Sequence, residues 1–442
     1  MKLKKKLFKI INYGCQMNKN DSEILAGMLL ERGYAPAEEM NQADLIILNT
    51  CSVRASAENK VYGKIGEIKH LKSSRPGLIL AVCGCMVQKD MEYLKKHYPH
   101  IDILFGTHNI HEFPELLEQV EKTHQKALAV WEKGSKAIVE GLPVQREGNG
   151  VSAYVSIIYG CTNFCSYCIV PYVRGPEKSR QLKDIINEIE QLAGEGYQEI
   201  TLLGQNVNAY GKDLPEEVDF VDLLEAVNRI PGIKRIRYTS PHPRDMTKAV
   251  VDAVKRLDKV CEHFHLPVQY GDDEILREMN RGYTVRDFKE LISYIRLVLP
   301  EASITTDVIV GFPGESDENF KNLLDFFAEV RFDMAHTLIY SPRPGTRAAK
   351  MANQVPEEIK KARLKELMNL QEKIAYEINQ KLEGQEVELL IEGPSEKDPA
   401  KLCGRTRTNK VVIVEGSSDL IGKLVKVKIT EAKSWLIVGE IL

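Results

Sequence analysis

The stretch Cys161-Thr162-Asn163-Phe164-Cys165-Ser166-Tyr167-Cys168 decides how the rest of this chain of 442 residues is interpreted. It follows an apolar run, Val151 to Ile158, that predicts a β-strand. Cysteine usually binds all four irons of a 4Fe–4S cluster, so three cysteines on one loop leave one iron open to a substrate. The alternatives are a surface cysteine cluster or a zinc knuckle, although structural zinc sites prefer four closed ligands.

Composition and charge exclude several classes of protein. The net charge of −3 gives no global basic field of the kind that nucleic-acid binders show. Nine cysteines in a long chain suit metal binding in a reducing compartment better than a disulfide framework. No run approaches the roughly 20 apolar residues of a membrane helix, and no signal-peptide core follows the lysine-rich Met1 to Lys6. We therefore expect a cytoplasmic protein with no membrane partner.

The first part of the chain predicts repeated β–α units. Apolar runs predict four strands separated by helical periodicity: Phe8–Gly14, Asp44–Thr50, Leu78–Val82 and Ile101–Phe105. This pattern indicates an open α/β domain with a parallel sheet.

Three cysteines follow successive predicted strands. Cys15, Cys51 and Cys85 recur at intervals of 36 and 34 residues, and one βαβ unit takes roughly 30 or more. The carboxyl ends of parallel strands meet at the sheet edge where ligands bind, so a second three-cysteine site is predicted. Cys83 competes with Cys85. We choose Cys85, which lies nearer the strand end, and assign Cys83 to the core, where any of these thiols could also belong.

The β/α alternation resumes after a glycine-rich stretch. Six strands are predicted: Ala153–Tyr159, Glu199–Leu203, Arg235–Thr239, Glu262–Leu266, Ile304–Val310 and Met334–Tyr340. A full eight-unit barrel needs about 250 residues, so this shorter segment predicts a partial (β/α)6 barrel. The stretch from Ile309 to Glu315 ends one strand with a glycine turn, where backbone can approach a ligand, although an ordinary turn explains it equally well. His242 and His265 also lie at strand ends and are interpreted as structural.

The last part of the chain no longer shows the β/α alternation. A helix is predicted after Pro356, and Gly384 ends it. Short β-rich runs then predict a small antiparallel barrel. Positive and negative residues are equal in number there, so RNA binding would need a local patch such as Lys401, Arg405, Arg407 and Lys410. A solvated loop is the alternative for that patch.

The spacing C-x3-C-x2-C after a strand resembles the signature of the radical S-adenosylmethionine (SAM) enzymes. Three further motifs, Tyr13–Asn18, Asn49–Arg54 and Gly84–Met86, resemble the N-terminal motifs of the methylthiotransferases in that superfamily. This resemblance implies two 4Fe–4S clusters. A catalytic cluster that binds SAM would be held by Cys161, Cys165 and Cys168, and a sulfur-presenting cluster by Cys15, Cys51 and Cys85.

The resemblance also implies cofactor contacts and a substrate. Gly311, Gly314 and Glu315 would lie near the SAM adenine. Residues Leu203–Tyr210 resemble the tRNA-modifying branch, and the last segment resembles the TRAM domain, an RNA-binding barrel. The closest branch acts on N6-isopentenyladenosine at position 37, in the anticodon stem-loop of tRNA.

The implied activity is that of a transferase. One SAM would give a 5′-deoxyadenosyl radical and another the methyl group, so that sulfur is inserted at carbon 2 of the adenine and methylated to 2-methylthio-N6-dimethylallyladenosine. An electron donor protein and a sulfur source are implied as well, and the sequence identifies neither. The alternatives are a methylthiotransferase for threonylcarbamoyl adenosine or for a ribosomal-protein aspartate, and a non-catalytic iron–sulfur RNA-binding protein. The motifs around Cys15 and Cys51 speak against the first two, and open-iron sites have no purpose in the last.

Four segments are therefore expected. They are an α/β domain with the second cluster (1–125), a linker (126–150), the radical SAM partial barrel with its following helix (151–383) and a TRAM-like β-barrel (384–442). One departure from the family is visible. Gln269-Tyr270-Gly271-Asp272 stands where the family usually has Gln-Ser-Gly-Ser, so a tyrosine and a carboxylate replace two hydroxyls near the expected pocket.

Overall fold

The computed structural model describes residues 5–52, 55–130, 138–148 and 150–442. The first four residues, the predicted motif residues Val53 and Arg54, and positions 131–137 and 149 of the predicted linker lie outside the described residues. The chain divides into two compact units. The first comprises residues 1–147, 159–162 and 168–178, and the second comprises residues 148–158, 163–167 and 179–442. No helix in the described ranges is long and apolar enough to cross a bilayer.

A parallel six-stranded sheet forms the centre of the first unit. Its elements are β1 (Leu7–Asn12), α1 (Gln16–Glu31), β2 (Ala35–Pro36), β3 (Leu45–Thr50), α2 (Ala55–Ser74), β4 (Ile79–Gly84), α3 (Cys85–His97), β5 (Ile103–Phe105), α4 (Phe113–Thr123) and β6 (Ala127–Ala129). The strand order is β2-β1-β3-β4-β5-β6. All six residues of β3 are buried, because alternate side chains enter the apolar clusters on opposite faces of the sheet.

Six parallel strands and their helices form the core of the second unit, which confirms the predicted (β/α)6 pattern. In chain order the next elements are β7 (Ser152–Ser156), β8 (Ile158–Tyr159), α5 (Val170–Val173), β9 (Lys178–Ser179), α6 (Leu182–Gly194), β10 (Glu199–Leu203), α7 (Phe220–Asn228), β11 (Arg235–Tyr238), α8 (Lys248–Arg256), β12 (His263–His265), α9 (Asp273–Glu278), α10 (Val285–Val298), β13 (Ser303–Val310), α11 (Asp317–Val330), β14 (Met334–Ile339) and α12 (Glu357–Gln380). The strands form two sheets, β11-β10-β7 and β12-β13-β14. A parallel bridge between Ile236 and Val260 connects β11 to the segment that enters β12.

A closed five-stranded barrel completes the second unit. Its strands are β15 (Glu386–Pro394), β16 (Leu402–Thr406), β17 (Val411–Val414), β18 (Leu424–Ala432) and β19 (Ile437–Ile441), in the order β15-β16-β17-β19-β18. The small barrel was predicted as antiparallel, and four of its five pairings are. The β17–β19 pairing is parallel, because strand direction cannot alternate around a closed ring with an odd number of strands.

The predicted linker is partly structured. β6 lies inside it and pairs in parallel with β5. Residues 143–147 run along α1, where the Gln145 N–H donates to the Glu23 carbonyl at 2.9 Å and Arg146 pairs with the Glu23 carboxylate at 2.9 Å. A three-residue strand is too short to show periodicity, so the sequence pattern did not distinguish it from a linker.

Candidate functional site

The structure places Cys15, Cys51 and Cys85 at one edge of the first unit's sheet. They follow the carboxyl ends of β1, β3 and β4, which are neighbouring parallel strands. Cys15 lies at the N-cap of α1, and Cys85 is the first residue of α3. Helix N-termini carry partial positive charge and stabilise thiolates, so both positions suit metal-binding cysteines. The predicted placement at successive strand ends is confirmed, while the role of these cysteines as ligands remains a prediction.

Cys83 and Cys85 have different surroundings. Cys83 lies within β4 and packs in the apolar cluster that contains Leu45 and Ile47. Burial raises the pKa of the Cys83 thiol far above its ordinary value, as expected for an uncharged core residue. Burial also raises the pKa of the Cys85 thiol, but the nearby Arg174 guanidinium opposes that shift. These surroundings support the choice of Cys85 as the ligand.

Two buried asparagines connect the cysteine-bearing segments. Asn18 Nδ2 donates to Asn49 Oδ1 at 2.8 Å and to the Thr50 carbonyl at 3.1 Å. Asn49 Nδ2 donates in return to the Asn18 carbonyl at 2.8 Å. The Cys15 thiol donates to Asn18 Oδ1 at 3.4 Å, so one residue fixes both Cys15 and the segment that leads to Cys51. Both asparagines belong to the quoted motifs, but their pairing across 31 positions has no signal in the sequence.

Gly84 makes the turn from β4 into α3 possible. Its φ of +96° lies in the region that favours glycine, and an added Cβ would lie 2.4 Å from the Thr50 carbonyl oxygen. The close approach brings the ends of β3 and β4 together. Cys51 and Cys85 follow directly after these two ends.

Arg174 was missed by the sequence interpretation. It lies in the segment after Cys168, where Ile169 and Val173 pack against Cys85 in the first unit. Its side chain is 6% exposed, and its Nη2 donates to Asp21 Oδ2 at 2.9 Å. Burial alone would lower the pKa of the guanidinium, but Cys85, Asp21 and Cys15 raise it well above its ordinary value. A charged group therefore accompanies the predicted ligands in a buried position.

The loop of Cys161, Cys165 and Cys168 is held by its own set of contacts. In the first unit, the Cys161 N–H donates to the Gly175 carbonyl at 3.0 Å. In the second unit, Cys165 is 8% exposed, and buried Arg281 donates from Nη1 to its sulfur at 3.2 Å. Arg281 Nη2 also donates to the Pro267 carbonyl at 2.6 Å, which fixes the guanidinium after β12.

The C-terminal end of α9 supports the same loop. Asn280 Nδ2 donates to the Asn163 and Phe164 carbonyls at 3.2 and 3.1 Å. Ser166 donates from its N–H to the Met279 carbonyl at 2.9 Å, and from its hydroxyl to the Glu278 carbonyl at 2.7 Å. The backbone before and after Cys165 is thereby fixed without using a cysteine side chain.

Both cysteine sets fit iron–sulfur clusters by their donor chemistry. Among the residues described, no group of three or more His, Cys, Asp or Glu side chains is gathered closely enough for a single metal ion. In a 4Fe–4S cluster each cysteine binds a different iron, so its ligands lie further apart than those of one ion. A soft all-thiol set with a guanidinium near one sulfur suits such a cluster.

The structure confirms a glycine turn after β13, and Glu315 bonds to the backbone of that turn. Gly311 and Gly314 have φ values of +72° and +88°. The Glu315 side chain has no exposed surface, and its carboxylate accepts from the Gly311 N–H at 2.6 Å and from Arg363 Nη1 at 2.8 Å. Glu315 therefore fixes the turn, and its role as a cofactor contact stays a prediction. Gly311 and Gly314 remain predicted contacts.

The two unusual residues after Gln269, Tyr270 and Asp272, have different structural surroundings. Asp272 caps α9, accepting from the Glu274 N–H at 3.0 Å, and it also accepts from Asn322 Nδ2 at 2.8 Å. Tyr270 is fully buried in the apolar core of the central barrel. The carboxylate therefore performs the capping role that a serine could also fill, and the tyrosine contributes to packing.

The suggested RNA patch is largely used in internal contacts. Arg407 pairs with Glu262 at 2.6 Å, and Lys410 pairs with Asp333 at 2.7 Å. Both acidic residues immediately precede strands of the central barrel, so these two cations fasten the small barrel to it. Arg405 and Lys401 pair with Glu392 and Glu415 at 3.1 and 3.8 Å. The structure thus assigns Arg407 and Lys410 to the contact between the barrels rather than to an RNA surface.

Comparisons with known proteins agree with this architecture. Residues 7–106 match the family described as "Uncharacterized protein family UPF0004", residues 155–327 match the radical SAM superfamily, and residues 380–442 match the TRAM domain. Relatives include the tRNA-2-methylthio-N(6)-dimethylallyladenosine synthases of Moorella thermoacetica and Carboxydothermus hydrogenoformans. Each is 52% identical to this chain, and each alignment covers 99% of this chain and 99% of the relative.

Similar solved structures show the fold. The radical SAM methyltransferase TsrM from Kitasatospora setae is similar with a TM-score of 0.56 and 14% identity, over 78% of this chain and 75% of that one. The cobalamin-dependent SAM radical enzyme OxsB is similar with a TM-score of 0.53 and 14% identity, over 83% of this chain and 56% of that one.

Proposed function

The chain belongs to the family of tRNA-2-methylthio-N(6)-dimethylallyladenosine synthases, and from this we propose that it acts on N6-isopentenyladenosine at position 37 of tRNA. The enzyme is a radical SAM transferase that adds a methylthio group at carbon 2 of the adenine. Its product is 2-methylthio-N6-dimethylallyladenosine. The observation that carries the proposal is the presence of two separate three-cysteine sets, one on a loop and one at a sheet edge.

SAM and 4Fe–4S clusters supply the radical, methyl and sulfur chemistry of this family when they are bound. We assign Cys161, Cys165 and Cys168 to the cluster that takes SAM, and Cys15, Cys51 and Cys85 to the cluster that presents sulfur. An aromatic C–H bond offers no acidic proton, so side-chain acids and bases cannot start this reaction. The protein's own contribution is to hold, orient and shield the reacting groups.

The chain limits the separation of Cys168 and Arg174, which both lie in the first unit. Five residues lie between them, so a fully extended chain from one to the other spans at most about 20 Å. Four of these residues form α5, which shortens the reach further. Because Arg174 lies beside Cys85, this short segment limits the distance of Cys168 from Cys85 within the first unit.

The RNA partner is tRNA, and we propose that the anticodon stem-loop enters with the isopentenyl group already attached. Loop bases can be unstacked and read individually by proteins. Burying one methylene is worth roughly 0.8 kcal/mol, so a five-carbon prenyl group can contribute several kcal/mol of selection against plain adenosine. The TRAM match supports RNA binding by the last segment.

Location and domain limits complete the proposal. None of the nine cysteines, all of which lie in described residues, forms a disulfide, which suits the reducing cytoplasm where tRNA is processed. We propose domain limits at 1–125, 126–150, 151–383 and 384–442, supported by the family matches to residues 7–106, 155–327 and 380–442.

Substrate preference tests the function. Anaerobically reconstituted enzyme is offered anticodon stem-loops that carry plain, isopentenyl or threonylcarbamoyl adenosine, and a ribosomal-protein peptide that carries the aspartate. We expect methylthio product from the isopentenyl RNA, with much slower turnover of plain RNA. Equal turnover of plain and isopentenyl RNA, turnover of threonylcarbamoyl RNA alone, or turnover of the peptide alone would each overturn the proposal.

A further inference from the structure

Arg174 is a buried cation with an unusual set of neighbours. Its Nη2 lies 2.9 Å from Asp21 Oδ2 and 3.5 Å from Asn18 Oδ1, and its guanidinium hydrogen-bonds the Cys85 side chain. Asn18 Oδ1 in turn accepts from the Cys15 thiol at 3.4 Å. One guanidinium therefore contacts a proposed ligand directly and reaches a second one through an amide.

A purely structural explanation of the Arg174–Asp21 pair is weak. Removing two charges from water costs about as much as their attraction returns, so a buried ion pair contributes little to stability. The surrounding residues give it a different use. Asp21 balances the guanidinium, which also hydrogen-bonds the Cys85 side chain.

We propose that Arg174 is a positioning residue that sets the reduction potential of the cluster held by Cys15, Cys51 and Cys85. The inference rests on the proposed function, since it uses that ligand assignment. Reduction adds negative charge to a cluster, and a nearby buried cation stabilises the reduced form. Hydrogen bonds to ligand sulfur act in the same direction. Arg174 therefore raises the potential, and Asp21 limits the effect.

The test isolates this cluster in the full-length chain. A background with Cys161, Cys165 and Cys168 all changed to alanine keeps only the sulfur-presenting set. Arg174→Gln, Asp21→Asn and the double variant are made in that background and reconstituted anaerobically. Iron per chain is measured first, and the midpoint potential is then followed by a redox titration monitored by electron paramagnetic resonance.

A matched control uses a second buried arginine that also pairs with an acidic residue of α1. Arg146 pairs with Glu23 of α1 at 2.9 Å, and its side chain is 8% exposed. Arg146→Gln also breaks a buried ion pair with α1, so it shows how the loss of such a pair alone affects the midpoint potential. We expect it to leave the potential unchanged.

The proposal predicts shifts of opposite sign. Arg174→Gln should move the potential to a more negative value and Asp21→Asn to a more positive one, while the double variant should lie near the background. An Arg174→Gln variant that holds iron at an unchanged potential would overturn the inference, as would shifts of one sign in both single variants. If Arg174→Gln holds no iron, the Asp21→Asn variant is the deciding test. An Asp21→Asn variant whose midpoint potential does not become more positive would then refute the proposed role of Arg174. A background that binds no iron refutes the ligand assignment itself.

Discussion

Arg235→Ala should loosen the small barrel from the central one. Arg235 has no exposed surface, although it is the first residue of β11. It donates from Nη1 to the Arg405 carbonyl at 2.5 Å, and from Nη2 to the Glu388 carbonyl at 3.2 Å and carboxylate at 2.9 Å. These three bonds join the start of a central strand to β15 and β16.

The expected cost follows from what each acceptor loses. A carbonyl that loses its donor costs up to about 1–3 kcal/mol when it is buried, and two part-buried carbonyls are left behind. The Glu388 side chain is 46% exposed, so water can replace its partner and the ion pair adds less than about 1 kcal/mol. We therefore expect the free energy of local opening to fall by about 3 kcal/mol. This corresponds to roughly a hundredfold increase in the local opening equilibrium constant.

Hydrogen exchange measures this locally, without assuming two-state unfolding of a chain with several domains. Amides of Leu402–Thr406 should exchange about a hundredfold faster in Arg235→Ala than in the wild type. Arg229→Ala is the control, because that side chain is 77% exposed and pairs only along its own helix with Glu225. If these amides exchange in Arg235→Ala at rates within about threefold of the wild type, the contact between the barrels does not depend on these bonds.

Three further predictions concern single positions. Gly84→Ala forces a Cβ to within 2.4 Å of a carbonyl oxygen of the neighbouring strand, so iron per chain should fall by about half, from two clusters to one. Gly63→Ala, where a Cβ meets nothing within 4 Å, should keep its iron, and full iron in Gly84→Ala would contradict the role of this turn. Cys85→Ala should also halve the iron while Cys83→Ala should not, and the reverse result would exchange the two assignments. Burial lowers the pKa of His242 from its ordinary value of 6.5 to about 2, so the unfolded chain binds the proton and stability falls as pH drops below about 6.5. Between pH 7 and 5 the wild type should lose about 2 kcal/mol more unfolding free energy than His242→Asn, and equal losses would show that His242 is not kept neutral by the fold.

The sequence predicted the parts of the fold that depend on local pattern. Apolar runs located β3 and β10 to within one residue, because strands that are buried on both faces consist mostly of apolar residues. The length of a βαβ unit was enough to bring Cys15, Cys51 and Cys85 to one edge.

Contacts between distant residues could not be predicted in the same way. Arg174 and Asp21 are 153 positions apart, and each looks like an ordinary surface charge until the fold buries both. The sequence also does not show that Arg363 of α12 donates to the Glu315 carboxylate, 48 positions away. β16 contains Gly404 and Arg405 within five residues, so this short strand of the closed barrel resembled a charged loop.

The central claim is that the two cysteine sets perform separate tasks, and product analysis of two triple variants tests it most directly. Each variant is reconstituted anaerobically and given SAM, a reductant and an anticodon stem-loop with N6-isopentenyladenosine, and both 5′-deoxyadenosine and the methylthio nucleoside are quantified. With Cys15, Cys51 and Cys85 changed to alanine, we predict that 5′-deoxyadenosine still forms and that no methylthio nucleoside does. With Cys161, Cys165 and Cys168 changed to alanine, we predict neither product. Methylthio nucleoside from the first variant, or substantial 5′-deoxyadenosine from the second, would contradict the account.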